Sequence, residues 1–487
     1  MIIKELIKNI PALQISGSLE QKITGIAYSS QKVKHGFLFA ALKGEKHDGF
    51  DFIPHALEKG AMAVLSERKR PEGFKKTWVK ADDARLALAL ISSEFFNHPS
   101  CKLGIIGVTG TKGKTTVTYL LEKILKTAGH SPGVIGSISY RGPGFDIPAQ
   151  RTTPEAPDTN ALLHQMLGQG ATHCVMEVSS HSIELKRISG IDFDVTVFTN
   201  LSREHLDYHH SLENYYKAKK KLFITADKSR LVINSDSIWG KKLISELSKD
   251  SLCFGFNENA DVYPDPYHYS STGITASVRS PFGKMELNSP LLGKPNLYNI
   301  LTAAASSLAL EIPIQAIEKG IASLKKVPGR FERVPNNLGL HIFVDYAHTD
   351  EALKNLLEAI NEISSKKTFL VFGAGGDRDK SKRSRMGQIA GKIAHWTIIT
   401  SDNPRSEDPM MIISDIEKGI KRTGNNKYEI LPDRKKAIKK AISLGKPGDY
   451  VLIAGKGHEK YQVIKDKVIP FDDVQVAREA EHEIKEN

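Results

Sequence analysis

Several features are scarce or absent in this sequence of 487 residues, and each shortage excludes a class of protein. Its three cysteines, Cys101, Cys174 and Cys253, are odd in number and widely spaced, so neither a disulfide framework nor a zinc site is indicated. No apolar run approaches the roughly 18 residues of a membrane span. Residues 1–14 are amphipathic and charged, which is not typical of a signal peptide. We therefore expect a cytoplasmic protein without a membrane span.

Positive charge, by contrast, is in excess. The sequence has 68 Lys and Arg against 56 Asp and Glu, a formal net charge of +12. These cations are spread through the chain and no recognised nucleic-acid module is present, so we interpret them as solvated lysines and sites for small polyanions, with no nucleic-acid partner. The alternative from another class, a nucleotide-dependent protein that binds nucleic acid, remains as a hypothesis to test.

A phosphate-binding loop is predicted at residues 110–116. An apolar run before it predicts a buried strand, and an apolar helical face after it predicts a helix that ends at Gly129. Backbone N–H groups at a helix start favour an anion, and glycines let the backbone approach phosphate oxygens. We expect Lys114 to meet the terminal phosphates of a nucleotide and Thr115 to bind Mg²⁺. The general motif would have a glycine at position 108, where this chain has Val108.

Two later strands end in polar residues that could hold a cation. The apolar segment 172–178 contains Glu177 near its end, and a carboxylate beside a phosphate loop is well placed for Mg²⁺. The segment 194–200 runs into the polar stretch 201–210, in which His205 is our candidate ligand to a second cation.

Residues 215–223 form a predicted helix segment with four lysines. Spacing alone predicts a solvated face for Lys217, Lys219, Lys220 and Lys221. Residues 250–290 have the pattern of an irregular β excursion.

The strand and helix alternation restarts after residue 330, which predicts a domain boundary near 332. Four further strands end in polar loops, at residues 345–348, 373–378, 401–405 and 455–459. In a doubly wound sheet these loops share the carboxyl edge, where ligands bind. Arg378, Arg383 and Arg405 are candidates for binding carboxylates there, because the planar guanidinium offers paired donors. A dinucleotide site is rejected, because Arg378 stands where the third glycine would fall.

These patterns predict an α/β protein of three domains. Residues 1–100 form a small α/β N-terminal domain, residues 101–332 a central phosphate-loop domain with a mostly parallel sheet, and residues 333–487 a Rossmann-like, doubly wound C-terminal domain.

With these motifs in view, the whole chain resembles the Mur ligases of peptidoglycan synthesis. The resemblance lies in nine stretches that occur in all three predicted domains and in the family's order. They are residues 110–116, 152–155, 176–181, 199–209, 327–330, 344–349, 375–380, 402–405 and 455–459. The phosphate-loop spacing of this chain is the one that the family uses.

The resemblance implies an activity and one role for each domain. Within the family the chain is most similar to the members that add meso-2,6-diaminopimelate to the D-glutamate γ-carboxyl of UDP-N-acetylmuramoyl-L-alanyl-D-glutamate. The implied mechanism uses ATP and Mg²⁺ and passes through an acyl phosphate. The first domain would bind the UDP-linked substrate, the second ATP and the third the amino acid, in a cytoplasmic monomer.

The resemblance also assigns residues to ATP binding, catalysis and metal binding. The ATP-binding set is Gly110, Thr111, Lys112, Gly113, Lys114, Thr115 and Thr116, with Arg330, Asp345 and His348. The catalytic set is Lys114, Glu177, His205 and Lys219, where Lys219 is the family's carbamylated lysine. The metal ligands are Thr115, Glu177, His205 and carbamylated Lys219, so Lys219 leaves the solvated set.

Two more sets bind the substrates. The UDP-muramyl-peptide set is Ser29, Thr152, Thr153, Ser179 and Arg187. The diaminopimelate set is Arg378, Asp402, Asn403, Pro404, Arg405, Gly455 and Glu459. Arg405 would pair with the second carboxylate of diaminopimelate, and Glu459 would accept from an ammonium group.

This chain departs from the family pattern at two places. It has Tyr28, Ser29 and Ser30 where the family tends to have Asp-Ser-Arg, and Leu185 where the family has glutamine. Within enzymes the alternatives are a ligase of the same family that adds L-lysine, which would leave Arg405 idle, and one that acts on folate.

Overall fold

The computed structural model describes residues 1–44 and 47–486, and of residues 485 and 486 only the backbone. The chain divides into two compact units. The first consists of Met1–Lys114, Gly129–Asn200 and Glu213–Leu252, and the second of Thr115–Ala128, Leu201–Leu212 and Cys253–Asn487.

The N-terminal region of the first unit is built on a five-stranded sheet of order β1-β5-β4-β3-β2, in which only β1 runs antiparallel to its neighbour. Its strands are β1 (Leu13–Ser16), β2 (Gly25–Ala27), β3 (Phe37–Ala40), β4 (Ala63–Ser66) and β5 (Thr77–Ala81). Its helices are α1 (Ile3–Leu6), α2 (Ile53–Glu58) and α3 (Ala84–Phe95), with 3-10 turns at Ser30–Lys32, Gly49–Phe52 and Pro99–Lys102.

An eight-stranded sheet follows, of order β13-β12-β11-β6-β10-β7-β8-β9. Its strands are β6 (Gly104–Thr109), β7 (Pro132–Ile135), β8 (Ser139–Gly142), β9 (Phe145–Pro148), β10 (His173–Glu177), β11 (Val195–Phe198), β12 (Arg230–Asn234) and β13 (Ser251–Phe254). The helices between them are α4 (Lys114–Thr127), α5 (Ala156–Gly168), α6 (Ser180–Glu184), α7 (Leu206–His209), α8 (Leu212–Thr225) and α9 (Ile238–Glu246).

The position of β6 in this sheet explains where ligands can bind. It pairs in parallel with β10 on one side and with β11 on the other, and these three strands are almost wholly buried. The chain leaves β6 toward β7 on one side and later returns to β11 on the other. Such a reversal of strand order opens a crevice at the carboxyl ends of the strands.

The second unit contains a three-stranded antiparallel sheet and two helices before its larger sheet. Its strands are β14 (Tyr263–Ser270), β15 (Gly273–Arg279) and β16 (Met285–Ser289), and its helices are α10 (Gly293–Ala309) and α11 (Ile314–Ser323). The expected β structure over residues 250–290 is present, but β14 to β16 form a mostly regular antiparallel sheet rather than an irregular excursion. Alternating burial along β16 gives this sheet a regular inner face, and a bulge between Pro264 and Tyr267 is its one register shift in the paired residues.

The last region is a six-stranded sheet of order β17-β18-β22-β19-β20-β21, parallel except for β17. Its strands are β17 (Glu332–Val334), β18 (His341–Asp345), β19 (Thr368–Phe372), β20 (Trp396–Ile399), β21 (Tyr428–Ile430) and β22 (Tyr450–Ala454), and a hairpin of β23 (Tyr461–Ile464) and β24 (Lys467–Pro470) follows. Its helices are α12 (Asp350–Ile363), α13 (Ser381–Ile393), α14 (Pro409–Lys421), α15 (Arg434–Leu444) and α16 (Asp473–Glu486).

The two faces of this sheet carry two separate apolar cores. One contains Leu353, Met386 and Ile416 from three helices, and the other contains Ile438 and Ala477 from α15 and α16. Helices on both faces of a mostly parallel sheet define the doubly wound arrangement that the sequence predicts. The predicted α/β class is confirmed. Among the described residues, no helix is both long enough and apolar enough to cross a membrane.

Candidate active site

The phosphate loop lies where the sequence predicts it, between the end of β6 and the start of α4. Gly110 has a φ of +149°, and a Cβ there would lie 1.9 Å from Thr199 Oγ1, so only glycine fits. Thr199 Oγ1 donates to the carbonyl of Lys112 at 2.7 Å, and Asn200 Oδ1 accepts from Lys112 N at 2.9 Å. The end of β11 therefore holds the loop in place.

Two lysine ammonium groups converge on this loop. Lys114 Nζ donates to the carbonyls of Gly110 and Thr111 at 2.9 and 3.0 Å. Lys219 Nζ, from α8, donates to the same Gly110 carbonyl at 2.9 Å and to Thr109 Oγ1 at 3.3 Å. Lys219 is only 1% exposed, so the solvated-face interpretation is wrong for this lysine. Two cations on one carbonyl make the loop strongly electropositive, as a polyphosphate site requires.

Glu177 lies at the end of β10, the strand next to β6, and is 1% exposed. Its two carboxylate oxygens accept from the backbone N–H and the hydroxyl of Ser137, at 2.8 and 3.0 Å. A Cβ on Gly136 would lie 2.7 Å from Glu177 Oε1, so the backbone approaches the carboxylate closely. This oxygen donor set has the hardness that Mg²⁺ prefers.

Four of the five residues predicted to hold the muramyl-peptide are brought together around the end of β10. Thr153 Oγ1 donates to the carbonyl of Glu177 at 2.8 Å and lies 3.4 Å from Ser179 Oγ. Arg187 Nη1 donates to the carbonyl of Thr153 at 3.3 Å. Thr152 Oγ1 lies 3.0 Å from Ser137 Oγ, the same hydroxyl that contacts Glu177.

Ser29, the fifth, precedes the 3-10 turn Ser30–Lys32, and in the part of the chain that the structure describes no hydrogen bond joins it to these four. Its neighbour Tyr28 donates its hydroxyl to Asp158 Oδ2 at 2.6 Å, which ties the N-terminal sheet to α5. Burial and the Asp158 carboxylate raise the pKa of Tyr28, so the phenol stays a donor. Tyr28, which departs from the family pattern, therefore has a structural role in linking the N-terminal sheet to α5.

In the second unit, Arg330, Asp345 and His348 lie around the end of β18. Arg330 Nη2 lies 3.3 Å from Thr115 Oγ1, and its guanidinium stacks over the Tyr346 ring at 4.6 Å. Asp345 accepts from two backbone N–H groups, at 2.6 and 2.8 Å. His348 Nε2 lies 3.4 Å from Glu204 Oε1. Arg330 thus reaches the hydroxyl that is predicted to bind Mg²⁺.

His205 begins α7 with a left-handed backbone, φ +57°, and is exposed. Among the residues that the structure describes, no group of three or more His, Cys, Asp and Glu side chains could hold a metal ion. The predicted ligand set also draws on the Thr115 hydroxyl and a carbamate on Lys219. The role of His205 in binding Mg²⁺ therefore stays a prediction.

Three loops converge at the carboxyl edge of the C-terminal sheet. Arg405 has a left-handed backbone, φ +51°, and its Nη1 donates to the carbonyl of Gly376 at 2.7 Å. A Cβ on Gly376 would lie 1.9 Å from the carbonyl oxygen of Pro404, and one on Gly455 would lie 2.7 Å from Asp402 Oδ2. The loops after β19, β20 and β22 can pack this closely only because glycines stand at these contacts.

The structure corrects the prediction for one of the three arginines. Arg383 is 1% exposed and binds Glu407 in a bidentate pair at 2.8 and 3.0 Å, with Asp415 at 3.3 Å. The hydrogen bond from Arg383 lowers the pKa of Glu407 to about 2. Arg383 is thus held by the protein itself. Arg378 is exposed, and among the described residues its guanidinium donates only to the carbonyl of its neighbour Asp377.

Sequence reasoning missed two residues of this edge, Lys456 and His458, although it used the motif that contains them. Lys456 is fully buried and its Nζ lies within 3.6 Å of Asp402, Asn403 and Glu459. His458 packs on the Tyr346 ring, and burial lowers its pKa to about 4, so it is neutral near pH 7. The sequence signal for these two residues is a lysine and a histidine within a glycine-rich turn. Their burial in the structure distinguishes them from ordinary exposed turn residues.

Three family models match the chain in succession. They are the Mur ligase family, catalytic domain at residues 22–96, the Mur ligase middle domain at residues 108–307, and the Mur ligase, glutamate ligase domain at residues 329–457. This chain belongs to the Mur ligase family. Its domain organisation is that of the family, while the boundaries at residues 100 and 332 stay predictions.

Two relatives share 42% of their residues with this chain. They are the UDP-N-acetylmuramoyl-L-alanyl-D-glutamate--2,6-diaminopimelate ligases of Solibacter usitatus, matched over 94% of both chains, and of Caldanaerobacter subterraneus subsp. tengcongensis, matched over 98% of both.

Among solved structures, a ligase of the same name superposes with a TM-score of 0.71 at 33% identity, covering 100% of this chain and 99% of that one. The MurF ligase of Thermotoga maritima in complex with ADP has a TM-score of 0.66 at 21% identity, covering 96% and 98%, and shares the fold.

Proposed function

We propose that this protein is an ATP-dependent ligase that joins meso-2,6-diaminopimelate to the D-glutamate γ-carboxyl of UDP-N-acetylmuramoyl-L-alanyl-D-glutamate, in the synthesis of peptidoglycan precursors. The observation that carries the proposal is the pattern of charges at the carboxyl edge of the C-terminal sheet. Arg378 and Arg405 offer guanidinium groups to carboxylates, while Asp402 and Glu459 offer carboxylates to ammonium groups. Diaminopimelate carries an ammonium and a carboxylate at both ends and matches this pattern.

The relatives support this choice over L-lysine. Both are named as diaminopimelate ligases, and the present chain matches nearly their whole length. The side chain of lysine ends in an amine without a carboxylate, so lysine would leave one guanidinium without a partner. A buried or half-buried arginine that loses its partner costs binding energy.

The reaction has two steps. First, an oxygen of the D-glutamate γ-carboxylate attacks the γ-phosphorus of ATP, the bond to ADP breaks, and an acyl phosphate forms. Lys114, which lies on the phosphate loop, would neutralise charge on the terminal phosphates. Then the amine of diaminopimelate, after loss of a proton, attacks the acyl carbon and phosphate leaves as the amide forms. Thr152, Thr153, Ser179 and Arg187 would orient the carboxylate.

The magnesium role is part of this proposal. Thr115, Glu177, His205 and Lys219, the last as a carbamate, would hold Mg²⁺, and oxygen donors such as the Glu177 carboxylate fit it. When bound, Mg²⁺ supplies Lewis-acid stabilisation of the phosphate oxygens. Because ATP and UDP-linked sugars are cytoplasmic metabolites, we also propose a cytoplasmic location.

The test is ADP release from ATP with UDP-N-acetylmuramoyl-L-alanyl-D-glutamate and a panel of amino acids, with mass spectrometry of the UDP-linked product. We expect ADP and a UDP-tripeptide to form together with meso-diaminopimelate and to form poorly with L-lysine. A reaction without the UDP-dipeptide is the control. Equal turnover of L-lysine would identify a lysine-adding ligase, and use of a folate would identify a folate ligase. ATP hydrolysis that rises with DNA or RNA and ignores the UDP-dipeptide would favour a nucleic-acid-binding protein.

A further inference from the structure

A fully buried lysine lies at the centre of the amino-acid site. Lys456 is 0% exposed and stands between Gly455 and Gly457, both with positive φ, in the turn after β22. An ammonium group taken out of water is costly unless acceptors surround it. The contacts of Lys456 therefore explain why it is there.

The Lys456 ammonium faces three side-chain oxygens from two loops. Its Nζ lies 3.1 Å from Asn403 Oδ1, 3.4 Å from Glu459 Oε2 and 3.6 Å from Asp402 Oδ1, and it lies over the Tyr461 ring at 5.6 Å. One cation thus stands between two carboxylates, and the formal charge of the three ionised groups is −1. The cluster can accept one further cation, and an ammonium group of the amino acid has the required charge.

The Asn403 amide has one orientation in this cluster. Its Oδ1 accepts from Lys456 Nζ and from the backbone N–H of Val463 at 2.9 Å, so its Nδ2 must point the other way, toward Glu459 Oε2 at 2.8 Å. Glu459 Oε2 is thus held by Asn403 and Lys456 together. Its other oxygen, Oε1, has no hydrogen-bond partner in residues 1–44 and 47–486 and can accept from a ligand.

Arg434, a second buried cation beside the same sheet, has its charge fully balanced, unlike Lys456. Arg434 and Asp473 are both 0% exposed and form a bidentate pair at 2.7 and 2.8 Å, which balances one positive charge with one negative charge. That pair joins α15 to α16 and leaves no charge for a ligand. The Lys456 cluster is unbalanced, and all its carboxylates belong to the set predicted to bind diaminopimelate.

We propose that Lys456 is a positioning residue of the amino-acid site. Its ammonium group holds Glu459 and Asn403 in the geometry in which Glu459 Oε1 accepts from the ammonium of the incoming amino acid. Its positive charge also offsets the repulsion between the neighbouring Asp402 and Glu459 carboxylates. This proposal rests on the proposed function, because it assigns the cluster to an amino-acid substrate.

The first measurement is the kinetics of the full-length Lys456→Met variant. We expect KM for meso-diaminopimelate to rise about tenfold or more, the size expected for a lost interaction with a charged group. The kcat at saturating amino acid and the KM values for ATP and the UDP-dipeptide should change less than about threefold. Lys460→Met is the matched control, because Lys460 lies four residues further on with a side chain 80% exposed. A purely structural role would instead lower the active fraction and the melting temperature with KM unchanged, which would overturn the proposal.

A double-mutant cycle with Glu459→Gln tests whether Lys456 acts through Glu459. We expect the KM of the double variant to equal that of Glu459→Gln within about twofold, because the two changes remove one interaction. If instead the fold increases in KM of the two single variants multiply in the double variant, the positioning role is overturned. Removing both charges together leaves one buried carboxylate, that of Asp402, whereas Lys456→Met alone leaves two, so the double variant can still be compared with Glu459→Gln if Lys456→Met does not fold.

The wild-type amino-acid panel separates this proposal from the proposed function. If the wild type uses another amino acid, the proposed function fails, and the same KM ratios measured with that amino acid decide the role of Lys456. If no amino acid is a substrate, both fail.

Discussion

The predicted phosphate loop and the proposed amino-acid site follow buried parallel strands in the same chain, yet they are built differently. The loop is one continuous stretch, residues 110–116, which runs from the end of β6 into the first turn of α4. The amino-acid site takes its residues from loops after β19, β20 and β22, about 80 positions apart from first to last. A site in one stretch can bind through its backbone, whereas an assembled site depends on side chains that the fold brings together.

The two sites also differ in the sign of their unbalanced charge. On the loop, the ammonium groups of Lys114 and of unmodified Lys219 both donate to the Gly110 carbonyl, so positive charge is in excess before Lys219 is carbamylated. At the proposed amino-acid site, the Lys456 cluster has one cation between two carboxylates, so within this cluster negative charge is in excess. The first suits a polyphosphate and the second suits an ammonium group. Three variants test this contrast, beginning with the largest expected effect.

Lys114→Met should abolish most activity. Loss of the cation nearest the terminal phosphates is expected to lower kcat by about 10³-fold, in line with the loss of one main stabilising group in a phosphoryl-transfer site. Steady-state ADP release measures it. Lys126→Met, at the end of the same helix with a side chain 52% exposed, should stay near wild type. A loss of less than tenfold would contradict the role given to Lys114.

Lys219→Ala should lower kcat by about 10²-fold and should be partly restored by formate or acetate. A small carboxylate can replace the oxygens of a carbamate, but it cannot replace an ammonium group that donates to Gly110. Lys217→Ala, on the exposed face of α8, is the control. Full activity of the Ala variant would refute the carbamate role, and a loss that no carboxylate restores would point to the ammonium contact instead.

Arg405→Lys should have the smallest effect and should change selectivity. Lysine keeps the charge but not the paired donors, so KM for meso-diaminopimelate is expected to rise about tenfold while the KM for L-lysine hardly changes. Arg422→Lys, exposed at the end of α14, is the control. If both amino acids lose equally, Arg405 does not contact the second carboxylate of diaminopimelate.

Much of the fold followed from local pattern. The apolar face of α4 is fully buried at Val117, Leu120 and Ile124, and Gly129, with φ +85°, follows the helix as expected. Strand ends were predicted within a few residues, because continuous apolar runs mark strands that are buried on both faces. For residues 250–290 the pattern predicted β structure but not the regular sheet, because prolines and short polar turns obscure an antiparallel pairing that local pattern does not specify.

The partners of charged side chains did not follow from local pattern. Arg378, Arg383 and Arg405 looked alike in the sequence, yet Arg383 is bound by Glu407, 24 positions away. Lys219 looked like its three neighbours on α8, and only packing made it the buried one. Lys456 has the local sequence of an ordinary loop lysine between two glycines, and only its burial beside Asn403 and Glu459 distinguishes it.

The sequence by itself therefore determined the alternation of strands and helices, the position of the phosphate loop and the family resemblance. These depend on periodicity, glycine conformation and short motifs, which act over a few neighbouring residues. Tertiary structure alone decided which cations are neutralised by the protein and which are left for a ligand. That distinction depends on burial and on distances of a few ångströms between residues far apart in the chain, where the loss of water makes each pairing strong.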